Sequence, residues 1–470
     1  MKKKFLLDIF YKNKNQIFIK DEINNENFTY GRFLNIVKER IYLFQNLNLK
    51  INSKILILRE NSVDYLINIL ASCLGGYVIM PVDPEINTNR ISAIKKLIKF
   101  DLILDKKIIR SKNSFKKKPA DLIYLKNSEF LYMLSSGTQS EEAKALIFDS
   151  DTIINSSESF AKLIKSNNKS IILHCLPMFY MAGILNTFFS SIFSKSKIVL
   201  TKKFSIFDIN NFIKVCSKNK INIFHLTPDI YRILCKTLKK KEILKIFKNA
   251  KKLISTGSVL HQEIKHKFKF NFNRKILSCY GLTELGGPLT LQNKSNAMNL
   301  FSVGNHDKKV KIKIKKNLIF INSPFKAKKI ITISGSKKIK SNNGYYNTGD
   351  IGKYINKELY VTGRERDIIK KGGELISLSM IESIFLTRDD IIEVAAVPLF
   401  ADNNKEENYV VFLNINGEYD FENKIEELTN FYKKNLKLIE YPKKILIVEK
   451  MPKTSSGKIK KKILMKNYYI

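Results

Sequence analysis

Hydrophobic residues follow two alternating patterns in the N-terminal half of the chain. Short apolar runs predict strands, and between them apolar residues recur three to four positions apart, which is typical of amphipathic helices. The predicted helices cover 63–74, after a cap at Asn61 and Ser62, and 90–100. This alternation favours parallel sheets with helices on both faces. The predicted strands are 54–58, 77–80 (ending at Pro81), 102–104, 130–134, 170–176, 198–200, 221–226 and 252–255.

The pattern changes after about residue 302, where short strands follow one another without helices between them. Strands at 309–314, 318–321 and 330–333, with a turn signal at 342–344, predict a small β-rich subdomain over about 302–363. Beyond Gly363 the pattern becomes α+β, with helices at 378–386 and 424–436 and strands at 392–397 and 409–415.

These patterns predict an α/β protein of two domains. The large N-terminal domain, 1–365, has mixed sheets flanked by helices and includes the β-rich subdomain. The small C-terminal domain, 366–470, is α+β. The boundary is placed near Arg364 and Arg366, where charged residues instead of a Gly/Pro linker indicate a short hinge.

One apolar stretch, 171–193, is long enough to span a bilayer. Pro177 and Gly183 divide it, and Asn186, Ser190 and Ser191 interrupt it. We therefore predict a buried strand, a turn and a core helix, and no transmembrane segment.

Basic residues outnumber acidic ones by 83 to 43, which gives a net charge of +40 over 470 residues. Such an excess is typical of proteins that bind nucleic acid. However, the lysines are spread from Lys2 to Lys466, and no ribbon of basic and aromatic residues is present.

The five cysteines lack paired spacing, and Asp8 interrupts the apolar start too early for a secretory signal. These features favour a cytoplasmic protein.

Five glycine-marked polar segments occur along the chain. Small hydroxyl residues and glycine let backbone N–H groups approach a polyphosphate, and carboxylates can hold Mg²⁺ or accept from a ribose. Together the segments predict a site where a carboxylate attacks the α-phosphate of ATP. They are SSGT at 135–138, YGLTE at 280–284, TGD at 348–350, GR at 363–364 and PKTSSGK at 452–458.

In order and spacing these segments resemble the adenylate-forming (AMP-binding) superfamily of acyl-CoA synthetases, peptide-synthetase adenylation domains and luciferases. The resemblance extends from Thr29 to Lys458. It implies that the large domain binds ATP and that the C-terminal domain is a mobile lid that rotates between two half-reactions.

The resemblance implies a phosphate loop that here departs from the usual form. Ser140 replaces a second glycine, and Ala143-Lys144 replaces Pro-Lys with one extra residue. The residues implied to bind the β- and γ-phosphates are Ser135, Ser136, Gly137, Thr138 and Lys144.

The nucleoside site is implied by three further segments. Asp350 would accept from both ribose hydroxyls and Arg364 would donate to the same sugar. Thr283 would bind the α-phosphate, and Glu284 would be the Mg²⁺ ligand. Backbone groups and one aromatic ring, that of Tyr280, would face adenine. The residues of this adenine face are Gly257, Ser258, Val259, Ser278, Tyr280 and Gly281.

The segment HCLPMFYMAG at 174–183 resembles a motif of acyl-CoA synthetases in which Tyr180 stands in place of a histidine. Tyr180 is therefore predicted to line the acyl pocket. His225 is assigned to the same pocket because packing around it is expected to affect the pocket's depth. No acidic residue occurs between His174 and Ser205, which disfavours an amino acid as the substrate.

The remaining implied residues belong to the lid. Arg366 corresponds to the hinge, and Lys370, Gly372 and Gly373 to a strand and turn that face the thiol. The ammonium group of Lys458 would stabilise charge at the α-phosphate during the first step. The lysines at 460–462 are interpreted as surface charges.

The predicted function is ATP- and Mg²⁺-dependent activation of a carboxylic acid as an acyl adenylate, then transfer to a thiol, with coenzyme A as the first choice. One alternative is a stand-alone enzyme that loads an acid or amino acid onto the phosphopantetheine of a carrier protein. An alternative of another class is a catalytically degenerate nucleotide-binding protein or a basic nucleic-acid-binding protein. The sequence does not specify the acid.

Overall fold

The computed structural model describes residues 2–105, 129–134, 144–399, 408–417, 419–453 and 459–468. A π-helix at Ala182–Phe189 leads directly into α6. The α-helices of the described residues are α1 Lys2–Lys12, α2 Tyr30–Asn46, α3 Val63–Gly75, α4 Thr88–Leu97, α5 Ser150–Leu163, α6 Ser190–Ser194, α7 Ile209–Lys218, α8 Pro228–Thr237, α9 Lys240–Ile246, α10 Gln262–His266, α11 Leu378–Phe385, α12 Phe421–Asn435 and α13 Lys461–Tyr468.

Strands occur throughout the chain. They are β1 Ile17–Asp21, β2 Glu26–Thr29, β3 Lys54–Leu58, β4 Val78–Val82, β5 Leu102–Leu104, β6 Glu129–Leu134, β7 Ala145–Asp149, β8 Ile171–His174, β9 Lys197–Leu200, β10 Ile223–Leu226, β11 Lys252–Ser255, β12 Ile276–Ser278, β13 Gly281–Leu282, β14 Gly287–Pro288, β15 Thr290–Leu291, β16 Ser302–His306, β17 Lys311–Lys315, β18 Leu318–Asn322, β19 Lys329–Thr332, β20 Gly335–Lys338, β21 Tyr346–Ile355, β22 Glu358–Arg364, β23 Ile368–Lys371, β24 Glu374–Ser377, β25 Ile391–Leu399, β26 Asn408–Ile415 and β27 Lys444–Ile447.

The α3 region shows how local sequence sets these bounds. The hydroxyl of Ser62 accepts from the backbone N–H of Tyr65 (3.2 Å), and Gly76 ends the helix with a φ of 77°. The predicted helix over 63–74 is therefore confirmed.

The prediction that the next strand ends at Pro81 was wrong, because β4 continues to Val82. β4 pairs with β6 through Ile79 alone, so the N–H that Pro81 lacks is not needed on that side.

Two seven-stranded sheets form the large part of the molecule. Their strand orders are β12-β11-β10-β8-β9-β1-β2 and β20-β19-β7-β6-β4-β3-β5. Inner neighbours such as β3 and β4, or β10 and β11, are parallel, while β2 and the β7-β19-β20 edge run antiparallel. This is the predicted mixed α/β architecture.

The core between these sheets consists of apolar residues from both sheets and from α1, α2, α3, α5, α6 and the π-helix. Phe18, Phe33 and Phe188 meet there, with ring centroids 5.2 Å apart for Phe18 and Phe33 and 6.1 Å apart for Phe33 and Phe188. The stretch at 171–193 contributes β8 and the π-helix, as predicted. Within the described part of the chain, every helix is too short or too polar to span a membrane.

A third sheet has the order β15-β16-β22-β21-β18-β17 and includes two of the three short strands predicted after residue 302. The third of them, β19, does not join it. It pairs with β7 of a seven-stranded sheet through Lys329 and Ile147. A local apolar run predicts a strand, but the choice of its partner depends on contacts that are distant in sequence.

The C-terminal residues have hydrophobic clusters of their own, whose members begin at Ile369 and continue to Leu464. They contain the β23-β24 hairpin, the sheet β25-β26-β27 and α11, α12 and α13. The predicted domain boundary falls in a short 3₁₀ turn, Glu365–Asp367, that leads into the hairpin.

Candidate active site

A cavity of about 360 Å³ lies between the residues before 366, here called the large part of the molecule, and the residues from 366 onward, here called the C-terminal segment. The loops that follow β11 and β12 meet there, because the carboxyl ends of parallel neighbours lie at one edge of their sheet. β21, β22, α11 and α13 complete its walls. The predicted site residues that line it are Gly257, Ser258, Val259, Ser278, Tyr280, Gly281, Asp350, Arg364 and Arg366.

Asp350 is the buried carboxylate of this cavity, with 2% of its surface exposed. The hydroxyl of Tyr280 donates to its Oδ2 (2.6 Å), and Arg364 forms an ion pair with it, with 3.0 Å between Nε and Oδ1. Burial and then the charge of Asp350 raise the pKa of Tyr280 well above its usual value, so the hydroxyl remains a donor. A carboxylate offers about four acceptor positions, so roughly two remain for a ligand with two hydroxyl groups.

Two glycines let the backbone form this wall. Gly257 follows β11 with a φ of 101°, which a side chain would disfavour. A Cβ atom on Gly281 would lie 2.1 Å from the carbonyl oxygen of Gly287 on the paired strand β14. The cavity therefore depends on glycine at both positions.

Thr283 and Glu284 lie on a short 3₁₀ helix, Thr283–Leu285, beyond the lining of this cavity. Burial, followed by the charges of Glu284 and Asp350, raises the pKa of Tyr346 to about 12. Within the described residues, no group of three or more metal-binding side chains could hold an ion unaided. A single carboxylate fits Mg²⁺ nonetheless, since this ion is commonly held by one or two carboxylates and substrate phosphates.

Tyr180 and His225 do not line the cavity. His225 is 1% exposed, accepts at Nε2 from the amide of Asn186 (3.3 Å) and stacks on Phe160 with centroids 5.5 Å apart. Tyr180 is half-buried beside Phe179, with centroids 4.7 Å apart. Their assignment to an acyl pocket stays a prediction.

Two fully buried imidazoles give the folded state a defined pH dependence. Burial lowers the pKa of His174 and of His225 from 6.5 to about 3. Below pH 6.5 the unfolded chain therefore binds more protons than the folded one, and stability that is complete above this pH is lost as the pH falls toward 3.

We expect the free energy of unfolding to fall by up to about 1.4 kcal/mol per histidine per pH unit in that window. Chemical denaturation at about pH 7, 6 and 5 measures this slope, before most carboxylates titrate. The variant His225→Asn should lose one histidine's share. The same slope in both proteins would contradict the assignment.

The predicted thiol-facing residues lie away from the cavity. Lys370, Gly372 and Gly373 belong to the exposed β23-β24 hairpin and do not line it. The hairpin packs against later residues of the same C-terminal segment instead. A Cβ atom on Gly372 would lie 2.5 Å from Cδ1 of Ile439, and Nζ of Lys371 donates to a backbone carbonyl 2.9 Å away.

Some predicted site residues lie outside the described residues, namely Ser135, Ser136, Gly137, Thr138 and Lys458. The remaining residue of the predicted phosphate loop, Lys144, is described and directly precedes β7.

The interpretation of Lys461 as a surface charge was wrong. It lines the cavity, where its Nζ lies 2.8 Å from Glu382 and 3.9 Å from Asp367. Burial alone would lower the pKa of Lys461, but these two carboxylates raise it above its usual value. A lysine within a basic run carries no local signal of its ion-pair partners, and both partners are more than 75 residues away in sequence.

Other residues of the cavity were also missed from the sequence. His261 follows the Gly257 turn, and its Nδ1 lies 3.1 Å from the hydroxyl of Ser383 on α11. Apolar side chains of Leu300, Phe301 and Met380 complete the lining. They belong to segments with no glycine-marked motif, so only packing identifies them.

Family models match most of the chain. The model for AMP-binding enzymes matches residues 10–318, and that for the AMP-binding enzyme C-terminal domain matches residues 380–458. Among curated proteins, oxalate–CoA ligase of Saccharomyces cerevisiae is 26% identical over 62% of this chain and 55% of its own length. Malonate–CoA ligase of Arabidopsis thaliana is 25% identical over 72% of this chain and 60% of its own length. The matches thus span less than two thirds of these relatives.

Solved structures share the fold over almost the whole chain. ATP-bound MatB from Rhodopseudomonas palustris has a TM-score of 0.84 at 16% identity, covering 98% of both chains. The o-succinylbenzoate CoA synthetase MenE from Bacillus subtilis, in complex with an acyl-adenylate intermediate, has a TM-score of 0.84 at 18% identity, covering 98% of this chain and 97% of that one. At these identities the likeness establishes the fold.

Proposed function

Because the chain belongs to the family of AMP-binding enzymes, we propose that it is an acid–thiol ligase that activates a carboxylic acid with ATP. The observation that carries the proposal is the buried Asp350, oriented by Tyr280 and Arg364 in a cavity that glycine backbone also lines. Its free acceptor positions suit the two hydroxyls of a ribose. The names of the relatives, ligases of oxalate and of malonate with CoA, support a small carboxylic acid and coenzyme A as co-substrates.

In the first step, a carboxylate oxygen of the acid attacks the α-phosphorus of ATP, and the bond to pyrophosphate breaks. Asp350 and Arg364 hold the ribose, and the backbone at Gly281 lies against the nucleoside. Thr283 binds the α-phosphate, and Glu284 would hold Mg²⁺, which offsets charge on the phosphates when bound. The loop residues Ser135, Ser136, Gly137, Thr138 and Lys144 bind the β- and γ-phosphates. Positioning and electrostatics carry this step, without a protein nucleophile.

In the second step, the sulfur of a thiol attacks the acyl carbonyl and AMP leaves, while the thiol proton passes to water. The hairpin with Lys370, Gly372 and Gly373 would then face the cavity. Because that hairpin lies away from it in the structure, this step requires the C-terminal segment to rotate about Arg366.

The proposal is tested by acid-dependent release of pyrophosphate from ATP, across a panel that includes oxalate, malonate, acetate, aryl acids and long-chain acids. We expect release with a subset of the panel, and thioester formation when CoA is added. A holo carrier protein in place of CoA tests the alternative acceptor. Binding of ATP without release with any acid would contradict the proposal. Salt-dependent binding of nucleic acid without turnover would favour the other class of function.

A further inference from the structure

One face of α8 contacts the beginning of β25, across the boundary between the large part of the molecule and the C-terminal segment. Nη1 of Arg232 donates to the carbonyl oxygen of Ile392 (2.7 Å), and Nζ of Lys236 donates to that of Ile391 (2.5 Å). The pairing of β25 with β26 shifts register between Ile391 and Glu393. Such a bulge leaves backbone groups outside the ladder, so these carbonyls are free to accept from another part of the molecule.

Glu393 lies at the same register shift of β25 and is 7% exposed. Its Oε1 is 3.8 Å from Nη2 of Arg232 and also forms an ion pair with Lys453. Lys453 in turn forms an antiparallel bridge with Ile459. Glu393 therefore links α8 of the large part to the base of the chain segment in which Lys458 occurs.

The structure also indicates which of the two steps this orientation serves. Arg366 and Lys461 line the cavity, whereas the predicted thiol-facing hairpin with Gly372 does not. Under the proposed function the hairpin faces the cavity in the second step, so this orientation corresponds to the first step. The contacts of Arg232 and Lys236 belong to this orientation, because rotation of the C-terminal segment would carry β25 away from α8.

We propose that Arg232 and Lys236 are positioning residues that hold the C-terminal segment in its orientation for the first step. Glu393 transmits that orientation to Lys453. This proposal rests on the proposed function. Since the hydrogen-bond acceptors of both cations are backbone carbonyls, these two hydrogen bonds do not depend on side chains of the C-terminal segment. Its loss should affect formation of the acyl adenylate and spare its use.

The test compares the double variant Arg232→Ala/Lys236→Ala with Lys245→Ala, which changes an exposed lysine on the neighbouring helix α9. We expect the double variant to lower kcat for pyrophosphate release about tenfold or more, the scale of lost charge-assisted hydrogen bonds. Thioester formation from supplied acyl adenylate should remain the same or become faster. The variant Arg232→Lys/Lys236→Ala, which keeps the positive charge at position 232, should retain part of the pyrophosphate-release rate that the double alanine variant loses.

A second measurement needs no turnover. Limited proteolysis at the Glu365–Asp367 turn reports how firmly the C-terminal segment is held, and the double variant should be cut there faster than Lys245→Ala. Equal cleavage rates, or equal loss of both half-reactions, would overturn the proposal. An inactive wild-type protein that still shows the expected difference in cleavage would instead count against the proposed function alone.

Discussion

Replacing Lys458 with alanine should nearly abolish pyrophosphate release from ATP and the acid, by at least about a hundredfold. The reason is that the first step concentrates negative charge at the α-phosphate, where a preorganised cation is worth several kcal/mol. Thioester formation from supplied acyl adenylate should remain largely intact, because that step begins after pyrophosphate has left. Measuring the two half-reactions separately checks the prediction.

The prediction for Lys458 comes from its sequence setting, since this residue lies outside the described residues. Lys461, three residues further along the chain, lines the cavity. Lys466 is a suitable control because it is an exposed lysine on α13, so Lys466→Ala should retain both rates. Equal loss of both half-reactions in Lys458→Ala would refute the assignment to the first step.

Replacing Asp350 with alanine should raise the KM for ATP about 10- to 100-fold. Hydrogen bonds to a charged group are worth about 1.5–3 kcal/mol each, and the variant removes the acceptor of the predicted ribose contacts. The guanidinium of Arg364 and the hydroxyl of Tyr280 would also lose the partner that orients them. Nucleotide titration and steady-state kinetics measure the effect.

A matched control is available for the loss of a buried carboxylate as such. Asp21 is 1% exposed and accepts from the backbone N–H of Ile23 (2.9 Å), on β1 and outside the cavity. Asp21→Ala should lower stability without changing the KM for ATP. If Asp350→Ala behaves in the same way, Asp350 has a structural role only.

The elements that the sequence predicted have local signals. The cap at Ser62, the period of α3 and the apolar strands on either side lie within a few residues of one another. The partner of β19 and the continuation of β4 through Pro81 were missed. Both depend on which strand lies alongside, and that strand is distant in the chain.

The candidate site was also predicted only in part from the sequence. Nine predicted residues, from Gly257 to Arg366, line one cavity because their segments end neighbouring strands or join the two parts of the molecule. The side chains at Tyr180 and His225 were chosen by likeness to a motif and by expected packing, and the structure places them outside that lining. Their roles stay predictions.

The sequence by itself determined the alternation of strands and helices around α3 and the chemical groups of the candidate nucleotide site. Apolar periodicity and glycine, carboxylate and hydroxyl residues carry that information at their own positions. Only the tertiary structure decided that Asp350 is buried between Tyr280 and Arg364, that Lys461 belongs to the cavity, and that Arg232 reaches the carbonyls of β25. Burial and ion pairing are properties of groups brought together from distant parts of the chain, and no local pattern of residues encodes them.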